Sequence, residues 1–596
     1  MSILVTIEHE QNTQTILASQ GETLLTLLQN NGFHLSADCG GQCFCGKCKV
    51  RVTGGGELLT GEDAFLNEAE IANGVRLACA VSIQNDLTVS LPARKQAKIL
   101  TNGLRRQFEL DAIIRKVVVH LPKPSLNDQR DDATRLLEAI GKPTLAMPLQ
   151  LLYRLPSTLR EQDFVVTVTV DTQTVIAVEA GDTSDVGYGV AVDIGTTTVV
   201  CYLMDLKSGE FVDTASQVNA QAVFGADVIS RIRHTMEQDD GLETLKSRIT
   251  SQIFELTQAM LVKNNINPQH LYGMLFAGNS TMLHLLCGFE VKHIAAAPFI
   301  ATQMQAVTVL AQEIGIKFNA HMRAYILPHM SSYVGADITA AILASGLYEQ
   351  DDLSLLIDIG TNGEMVLGNK DKLLCCSTAA GPAFEGANIA CGMGGVAGAI
   401  NSVRYVDGQI AVTTIDAKPP IGICGSGIID AVAAMLQMGV VDETGRLLDV
   451  DEVDESLATY LYETDEGNAF QLTENVSITA KDIREVQLAK AAIAAGIEVL
   501  MEQMGVAVKD IDHVYLAGGF GSFLNQESAA AIGLLPQELI EKTLVIGNGA
   551  GMGAVMAMLS KTHQEMATAI CRNAKCIELS GMPSFQDYYI DKMMFE

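Results

Sequence analysis

Five cysteines lie within the first eighty residues of this chain, which has 596 residues and thirteen cysteines in all. Three of them, Cys39, Cys45 and Cys48, come from one glycine-containing loop, and Cys79 follows in VRLACAV thirty-one positions after Cys48. A [2Fe–2S] cluster requires four thiolates, two for each iron, and a loop that supplies three together with a distant strand that supplies one is typical of such centres. The spacing therefore predicts a [2Fe–2S] site with Cys39, Cys45, Cys48 and Cys79 as its metal ligands.

Other interpretations of the same loop are weaker. Structural zinc usually requires two pairs of CxxC type, and only Cys45 and Cys48 form one. Unligated thiols are the remaining alternative. Cys43 could replace a neighbour as a ligand, although a bystander thiol is the favoured interpretation. The run GQCFCGKC approaches a P-loop but ends in cysteine where Mg²⁺ coordination needs serine or threonine.

Two copies of a second motif bear carboxylates that could bind a metal-nucleotide complex. Asp193 in DIGTTT and Asp358 in DIGTNGE each end an apolar strand and begin a glycine turn. Turn N–H groups and threonine hydroxyls can bind phosphate oxygens, and each aspartate can hold Mg²⁺ through water. Two such turns, facing each other, would bind a polyphosphate from both sides.

Three further segments fit the same interpretation. HVYLAGGFGSFLN (513–525) is a strand that runs into glycines and suits adenosine, while AGNST (277–281) and IGNGAGMGA (546–554) are hinges that open helices. The dinucleotide-like pattern within GNGAGMGA is discounted, because too few residues follow it for a Rossmann domain. Glu385 is a weaker candidate for orienting the attacking water, and a carboxylate at a helix N-terminus is its alternative role. The predicted catalytic residues are Asp193, Asp358 and Glu385, and the predicted nucleotide-binding residues are Gly195, Thr196, Thr197, Thr198, Gly278, Asn279, Gly360, Thr361, Asn362, Gly363, Gly518, Gly519 and Gly521.

The elements that must position these residues fall into segments of different pattern. In residues 1–95, apolar and polar residues alternate as in the strands of a small α+β domain, and residues 96–107 are typical of a linker. Residues 108–186 predict a mixed α/β domain that acts as a spacer or joins two copies in a homodimer. From 187 to 596, strands alternate with helices rich in alanine and glycine. The repeated strand–DIGT–strand pattern predicts two similarly built lobes in this last segment.

Composition and charge exclude some classes of partner and indicate where the protein is located. The formal net charge of −30 argues against nucleic acid or an anionic membrane surface as a partner. No run of about eighteen apolar residues predicts a membrane span, and the N-terminus has no signal-peptide pattern. The thiol cluster fits a reducing compartment, and we expect a cytoplasmic protein.

The motifs resemble known families. Residues 1–95 resemble β-grasp ferredoxins with adrenodoxin-like cysteine spacing, and the later motifs resemble the phosphate, connect and adenosine segments of the actin, hexokinase and heat-shock cognate superfamily. The chain as a whole, including AAGPAFEGANI and ICGSGIIDA, is similar to reductive activators of corrinoid proteins. The implied fold class is multidomain α+β and α/β: a ferredoxin-like domain, a small middle domain and a two-lobed actin-like ATPase.

The resemblance also implies a function. It implies an ATP-dependent enzyme of anaerobic methyl metabolism that uses a [2Fe–2S] cluster, ATP and Mg²⁺. Such an enzyme reduces the Co(II) form of a corrinoid protein to Co(I) with electrons from an upstream low-potential donor. Some relatives carry a C-terminal ferredoxin with two four-iron clusters, whereas only Cys571 and Cys576 lie near the end of this chain. The electron is therefore expected to use the N-terminal site.

Two other functions remain open. One is a metabolite kinase with a regulatory cluster, which would need a polar acceptor pocket. The other is an activator ATPase for a different low-potential enzyme, a class that typically holds a four-iron cluster between two subunits. The nearly uncharged stretch ACGMGGVAGAINSV (390–403), which contains the hydroxyl of Ser402, is either a tightly packed core segment or a pliable surface for a corrin ring.

Overall fold

The computed structural model describes residues 3–9, 12–31, 33, 35, 41, 43, 46–54, 62, 65–91, 103–104, 106–464, 467–521 and 523–595. The chain forms two compact units, each discontinuous in sequence. The first comprises Met1–Lys98, Ala220–Leu245 and Pro382–Val486, and the second comprises Ile99–Asn219, Lys246–Gly381 and Gln487–Glu596. The predicted nucleotide-binding segment, 187–596, therefore contributes to both units.

The N-terminal part of the first unit is a five-stranded sheet with a helix packed on one face. Strict alternation in the first strand buries Val5 and Ile7, and the helix buries Leu24 and Leu28 against them. The strand order is β2-β1-β5-β3-β4, with the first and fifth strands parallel. The elements are β1 (Ile3–His9), β2 (Asn12–Ala18), α1 (Leu24–Asn30), β3 (Lys49–Thr53), α2 (Glu68–Ala72), β4 (Val75–Leu77) and β5 (Leu87–Ser90).

A small domain at the start of the second unit contains three antiparallel strands in the order β6-β7-β8 and three short helices. The last two strands form the hairpin that VVTVTVDTQTVIAVEAG predicts. Leu136 and Leu159, from two of the helices, are fully buried against Val166 and Val168 of the sheet. The elements are β6 (Arg115–His120), α3 (Asp132–Ala139), α4 (Leu149–Leu152), α5 (Leu155–Glu161), β7 (Val165–Val170) and β8 (Val175–Ala180).

The rest of the second unit is built on two six-stranded sheets. The first has the order β11-β10-β9-β12-β14-β13. Its strand β9 carries the first DIGT motif, and pairs antiparallel with β10 and parallel with β12. The elements of the chain up to α9 are β9 (Tyr188–Ile194), β10 (Thr198–Asp205), β11 (Phe211–Val218), α6 (Val228–Glu237), α7 (Gly241–Lys263), β12 (Leu271–Gly278), α8 (Ser280–Cys287), β13 (Val307–Leu310), β14 (Arg323–Ile326) and α9 (Ala336–Ser345). Of these, α6 and the start of α7 belong to the first unit.

The second sheet repeats this arrangement. Its order is β25-β24-β15-β16-β17-β26, and β15, which carries the second DIGT motif, pairs antiparallel with β16 and parallel with β24. Five strands of each sheet thus share one topology, as the repeated motif predicts, while the sixth strands, β13 and β26, lie at opposite edges of the shared five. The remaining elements of the chain are β15 (Ser354–Ile359), β16 (Gly363–Gly368), β17 (Leu373–Thr378), β18 (Ala399–Val406), β19 (Gln409–Thr414), β20 (Gly422–Ile423), α10 (Gly425–Met438), α11 (Glu455–Ala458), β21 (Leu461–Thr464), β22 (Gly467–Thr473), β23 (Val476–Thr479), α12 (Ala480–Met504), β24 (His513–Ala517), α13 (Gly518–Gly521), α14 (Gln526–Ala531), β25 (Thr543–Gly547), α15 (Gly549–Leu559), α16 (Lys561–Asn573), β26 (Ala574–Cys576) and α17 (Pro583–Asp591).

Helices α9 and α15 form a deeply buried pair in the second unit. Every residue of α15 is buried, as are all residues of α9 except Asp337. At their crossing a side chain on Gly553 would overlap the backbone carbonyl of Ala340. The two helices therefore touch backbone to backbone, which only glycine permits at this point.

Two three-stranded sheets, β19-β18-β20 and β21-β22-β23, complete the first unit together with α10. Strand β18 packs on α10, and a side chain on Gly427 would overlap the carbonyl of Ile400. No helix within the described ranges is long and apolar enough to cross a membrane.

Candidate functional site

The two predicted aspartates occupy equivalent places in the second unit. Asp193 is the second-last residue of β9 and Asp358 the second-last of β15, and each retains partial exposure to solvent. Burial, together with the charge of Asp193, raises the pKa of Asp358 to about 7. The structure therefore brings the two motifs close enough for their charges to interact.

Two further carboxylates join this pair. Glu364 lies directly opposite Asp358 in the β15–β16 register, and Asp337 lies in the first turn of α9. Burial, and next the charge of Asp358, raises the pKa of Asp337 to about 7. Burial also raises the pKa of Glu364 well above its ordinary value, with further contributions from Asp337 and Asp358. Four recessed carboxylates that repel one another form a site that favours a bound cation or protons.

Asn548 fixes the orientation of the first carboxylate. It caps α15, where its Oδ1 accepts a hydrogen bond from the Gly551 N–H at 2.6 Å, and its Nδ2 donates to Asp193 Oδ2 at 2.9 Å. Burial raises the pKa of Asp193 to about 6, and the Asn548 hydrogen bond opposes that rise. The hinge segment IGNGAGMGA thus reaches the site through its asparagine.

Gly518 brings the third predicted segment to the second aspartate. It follows β24, has a φ of +86°, and a side chain at this position would overlap Asp358 Oδ1. Gly519 and Gly521 lie in the short helix α13 that begins here. Only glycine combines this backbone conformation with so close an approach to the carboxylate.

The first phosphate motif is joined to the AGNST hinge by side-chain hydrogen bonds. Asn279 caps α8 and donates through Nδ2 to Thr196 Oγ1 at 2.9 Å. A tight turn precedes β10, in which the Gly195 N–H donates to the Thr198 carbonyl at 2.8 Å. Thr197 in that turn is exposed, and Gly278 ends β12 next to the hinge.

The second phosphate motif has the equivalent turn. The Gly360 N–H donates to the Asn362 carbonyl at 2.9 Å, and Gly363 begins β16. Thr361 lies within this turn and is partly exposed. Each motif thus presents a glycine turn next to its carboxylate, an arrangement that can bind phosphate oxygens.

The chemistry of this donor set fits a magnesium nucleotide. Among the described residues, no group of three or more histidine, cysteine, aspartate or glutamate side chains is arranged to hold a metal ion alone. Mg²⁺ commonly keeps several waters and is held by one or two carboxylates together with substrate phosphates. Asp193 and Asp358 fit that mode of binding, with Asp337 and Glu364 supplying additional negative charge.

Glu385 belongs to the first unit, whereas the four carboxylates belong to the second. It ends a single 3₁₀ turn, Pro382–Glu385, in the first unit. Arg231 of the same unit is fully buried, and burial lowers its pKa to about 9 while the charges of Asp227 and Glu385 oppose that effect. Glu385 therefore lies near a buried guanidinium, and its part in hydrolysis stays a prediction.

The described thiols of the N-terminal domain converge at one place. Cys48, just before β3, has its Sγ 3.2 Å from the Sγ of Cys79, which follows β4. The Ala78 N–H donates to the Cys48 carbonyl at 2.9 Å and ties the two segments together. The hydrogen-bond contact with the Cys79 thiol lowers the pKa of Cys48 to about 7, which favours the thiolate that iron requires.

The thiol of Cys43 lies closer to this pair of thiols than is expected of a cysteine that does not bind the cluster. Its Sγ lies 3.4 Å from the Sγ of Cys79, and its φ of +61° places it in a strained turn. Cys39 and Cys45 lie outside the described residues. The thiols of Cys43 and Cys48 thus both approach that of Cys79, and the choice between Cys43 and a neighbour as cluster ligand stays a prediction.

Sequence reasoning missed three residues of the carboxylate site: Asp337, Glu364 and Asn548. Glu364 lies within DIGTNGE, and a hairpin closed by a tight turn places it across from Asp358. Asn548 carried a signal as a helix-capping residue before GAGMGA. Asp337 carried only the weak signal of an acidic residue at a helix start, which is common in any helix.

The fold and the two sites define an iron–sulfur protein joined to an ATPase domain of the actin type. Residues 7–84 match the model of the 2Fe-2S iron-sulfur cluster binding domain. Residues 103–185 match the RACo linker region, 188–350 the RACo middle region, and 352–596 the C-terminal domain of RACo, described as the ASKHA domain.

Full-length relatives identify the family. The chain is 32% identical to the corrinoid activation enzyme RamQ of Eubacterium limosum over 98% of both chains. A solved structure described as a reductive activator for corrinoid, iron-sulfur protein is 35% identical, with a TM-score of 0.74 over 100% of this chain and 98% of that one. A [Co(II) methylated amine-specific corrinoid protein] reductase of Methanosarcina barkeri is 24% identical over 68% of this chain and 77% of its own. The chain belongs to the family of reductive activators of corrinoid proteins.

Proposed function

We propose that this protein passes one electron from its [2Fe–2S] cluster to an inactive Co(II) corrinoid protein and so regenerates Co(I) for methyl transfer, with ATP as the driving ligand. The observation that carries this proposal is the similarity to RamQ along the whole chain. The convergence of thiols at Cys79 and of carboxylates at Asp358 supports it independently.

ATP has a physical task in this reaction because corrinoid Co(II) is hard to reduce. Coupling between two binding sites is typically worth ~1–3 kcal/mol. For one electron, ~1.4 kcal/mol corresponds to roughly 59 mV, so such coupling shifts an effective potential by about 45–130 mV. A change in the axial ligation of cobalt would add to this shift. ATP then drives docking, closure or release, with no phosphoryl transfer to a substrate.

The carboxylate site supplies a source for that coupling. Burial raises the pKa values of its four acidic groups, and repulsion by neighbouring carboxylates raises those of Asp337, Asp358 and Glu364 further. A bound Mg²⁺ neutralises this repulsion, and the glycine turns after Asp193 and Asp358 bind the phosphates. Binding and release of nucleotide would thus change the balance of charge on the sheet ends and on the first turns of α9 and α15. The [2Fe–2S] cluster, when bound in the N-terminal domain, would supply the single electron.

The uncharged stretch 390–403 is the proposed contact for the corrinoid partner. The structure divides it: Val396 and the residues from Gly398 to Ile400 are buried, while Gly394 and Ala397 are exposed. Ser402 is half-buried on β18, opposite Thr413. The first half of the stretch is therefore surface that could approach an apolar ring, and the second half is core.

The deciding experiment measures Co(I) formation. Purified cluster-containing protein, MgATP, a chemical reductant and candidate Co(II) corrinoid proteins are mixed anaerobically, and the Co(I) absorbance is followed. Omission of ATP, and replacement of Asp358 by asparagine, should each suppress the signal. ATP-independent reduction by the wild-type protein would refute the proposed role of the nucleotide.

The same experiment distinguishes the corrinoid reductase from the two alternative functions. A metabolite kinase would consume ATP with a small-molecule acceptor and leave the cobalt oxidised. An activator of another low-potential enzyme would show a four-iron signal in the electron paramagnetic resonance spectrum of the reduced protein. A two-iron signal together with Co(I) formation supports the corrinoid reductase.

A further inference from the structure

Two thiols far from the cluster meet at the edge of the second six-stranded sheet. Cys375 of β17 and Cys576 of β26 are register partners on neighbouring parallel strands, and their Sγ atoms lie 2.8 Å apart. Both are free cysteines. Neighbouring strands lie about 4.8 Å apart, within the Cα separation of about 4.4–6.8 Å that a disulfide spans.

The two thiols differ in environment. Cys375 is completely buried, whereas Cys576 is partly exposed. The Cys375 thiol and the Ser331 hydroxyl both hydrogen-bond to Cys576 and lower its pKa, and the same Cys576 contact raises the pKa of Cys375. The pair thus resembles an attacking thiolate with a buried partner, the arrangement that favours thiol–disulfide exchange.

The neighbouring thiols do not share these properties. Burial raises the pKa of Cys571 to about 12, and its Sγ contacts Thr339 Oγ1 at 3.3 Å. Cys376 points to the opposite face of β17 and lies near the Gly496 carbonyl. A shared metal is also a poor fit, because two thiolates on one tetrahedral zinc lie ~3.8 Å apart, and the described residues include no metal-holding group of three or more such side chains.

We propose that Cys375 and Cys576 form a reversible disulfide, in which Cys576 is the attacking thiolate, and that this bond weakens the nucleotide site. The oxidant is a low-molecular-weight disulfide. The Cys576 thiolate attacks one of its sulfurs and releases the first small thiolate. Cys375 then loses its proton and attacks the mixed disulfide at the Cys576 sulfur, which releases the second. Two protein thiols are oxidised and one disulfide is reduced to two thiols.

The connection to the nucleotide site runs through two short paths. Ser331, which hydrogen-bonds to Cys576, also accepts the Val334 N–H at 3.0 Å in the segment that leads into α9 and Asp337. Ser377, two residues after Cys375, lies with its hydroxyl 3.4 Å from Glu364 Oε1. Oxidation removes the thiolate acceptor of Ser331 and fixes β17 to β26. This part of the inference rests on the proposed ATP function.

The bond itself is tested by mass spectrometry on the complete cluster-containing protein. Anaerobic treatment with cystamine should remove two hydrogens from the wild-type chain. Trypsin cleaves after Arg572 and Lys575 and so separates Cys571 from Cys576. The Cys576 peptide should be linked to the peptide that begins at Leu373.

Three serine variants assign the partners. Cys375→Ser should stop at a cysteamine adduct on Cys576, Cys576→Ser should give neither adduct nor link at Cys375, and the control Cys571→Ser should behave as wild type. A wild-type chain that keeps its mass, or that links other cysteines, would overturn the proposal.

The effect on the nucleotide site has its own measurement. ATP binding by calorimetry should be roughly tenfold weaker after cystamine treatment and should recover with dithiothreitol. Cystamine treatment should not change it in Cys576→Ser, which forms neither adduct nor link. Equal affinity in the reduced and the linked protein would refute the coupling. A reduced protein that binds no ATP would instead refute the proposed nucleotide site, while the peptide map still decides whether the bond forms.

Discussion

Replacement of Asp358 by asparagine should stabilise the nucleotide-free protein at alkaline pH while it abolishes ATP hydrolysis. The pKa of this carboxyl is raised from 3.8 to about 7 in the folded state, chiefly by burial and next by the charge of Asp193. A folded carboxyl with a raised pKa binds its proton more tightly than the unfolded chain does. Its destabilising effect therefore appears as pH rises from about 4 to about 7 and stays constant above that range.

The size of the effect follows from that interval. A difference of about three pH units at ~1.4 kcal/mol each gives a ceiling of about 4 kcal/mol. The amide introduced by D358N would itself be a recessed polar group, which costs about 1–3 kcal/mol if it lacks a full set of partners. We therefore expect a net gain of ~1–3 kcal/mol at pH 8, and no gain at pH 4, where the wild-type carboxyl is protonated in the folded state.

The assay is thermal or denaturant unfolding of wild type and D358N at several pH values in the absence of Mg²⁺ and nucleotide. The transition of the second unit is identified by its shift when MgATP is added to the wild type. D371N is the matched control, since Asp371 lies exposed in the turn between β16 and β17 of the same sheet. The reasoning fails if D358N and wild type keep the same stability difference from pH 4 to pH 8, or if D371N gives the same gain.

The remaining predictions concern the other sites. Serine variants of the four predicted cluster ligands should each lose iron, and Cys43→Ser should keep it; normal iron in Cys79→Ser together with loss in Cys43→Ser would overturn the ligand set. Asp193→Ala should abolish Mg-dependent ATP hydrolysis and leave the visible spectrum of the cluster unchanged, because the two sites belong to separate units; undiminished turnover would contradict the assigned site. Gly395→Val should impair corrinoid reduction and binding with an unchanged melting curve, since the heavy atom nearest to an added Cβ, Ile415 Cδ1, lies at an ordinary 3.7 Å. Ala411→Val, at an exposed position of β19 outside the stretch, is its control, and a melting curve lowered without a binding defect would assign the stretch to the core.

Local patterns were enough to predict the parts of the site that lie at strand ends. The apolar strand, the aspartate and the glycine turn are adjacent in sequence, so the two DIGT segments could be recognised and their equivalence inferred. The topology of the two six-stranded sheets confirms that equivalence. Helix caps carried similar local information, as Asn279 and Asn548 show.

Long-range packing could not be predicted in the same way. Asp337 reaches the carboxylate site because α9 packs in the second unit, and nothing near it in the sequence specifies Asp358 as its neighbour. Likewise, segments 220–245 and 382–486 join residues 1–98 in one compact unit, although their strand and helix patterns resemble those of the rest of the chain. The stretch 390–403 was uniform in composition, yet its two halves differ in burial because only the second half pairs into β18.

The backbone contact between Gly553 and Ala340 limits how the nucleotide site can evolve. It joins the helix that carries Asp337 in its first turn to the helix that Asn548 caps, with no side chain between them. Such a joint has no rotamers through which a neighbouring substitution could be absorbed, so a side chain at position 553 would push the two helices apart. The spacing of Asp337 and Asn548 is thus set by the contact between the two helix backbones. Variation in nucleotide preference within this architecture should arise in the strand-end turns, which can change without moving either helix.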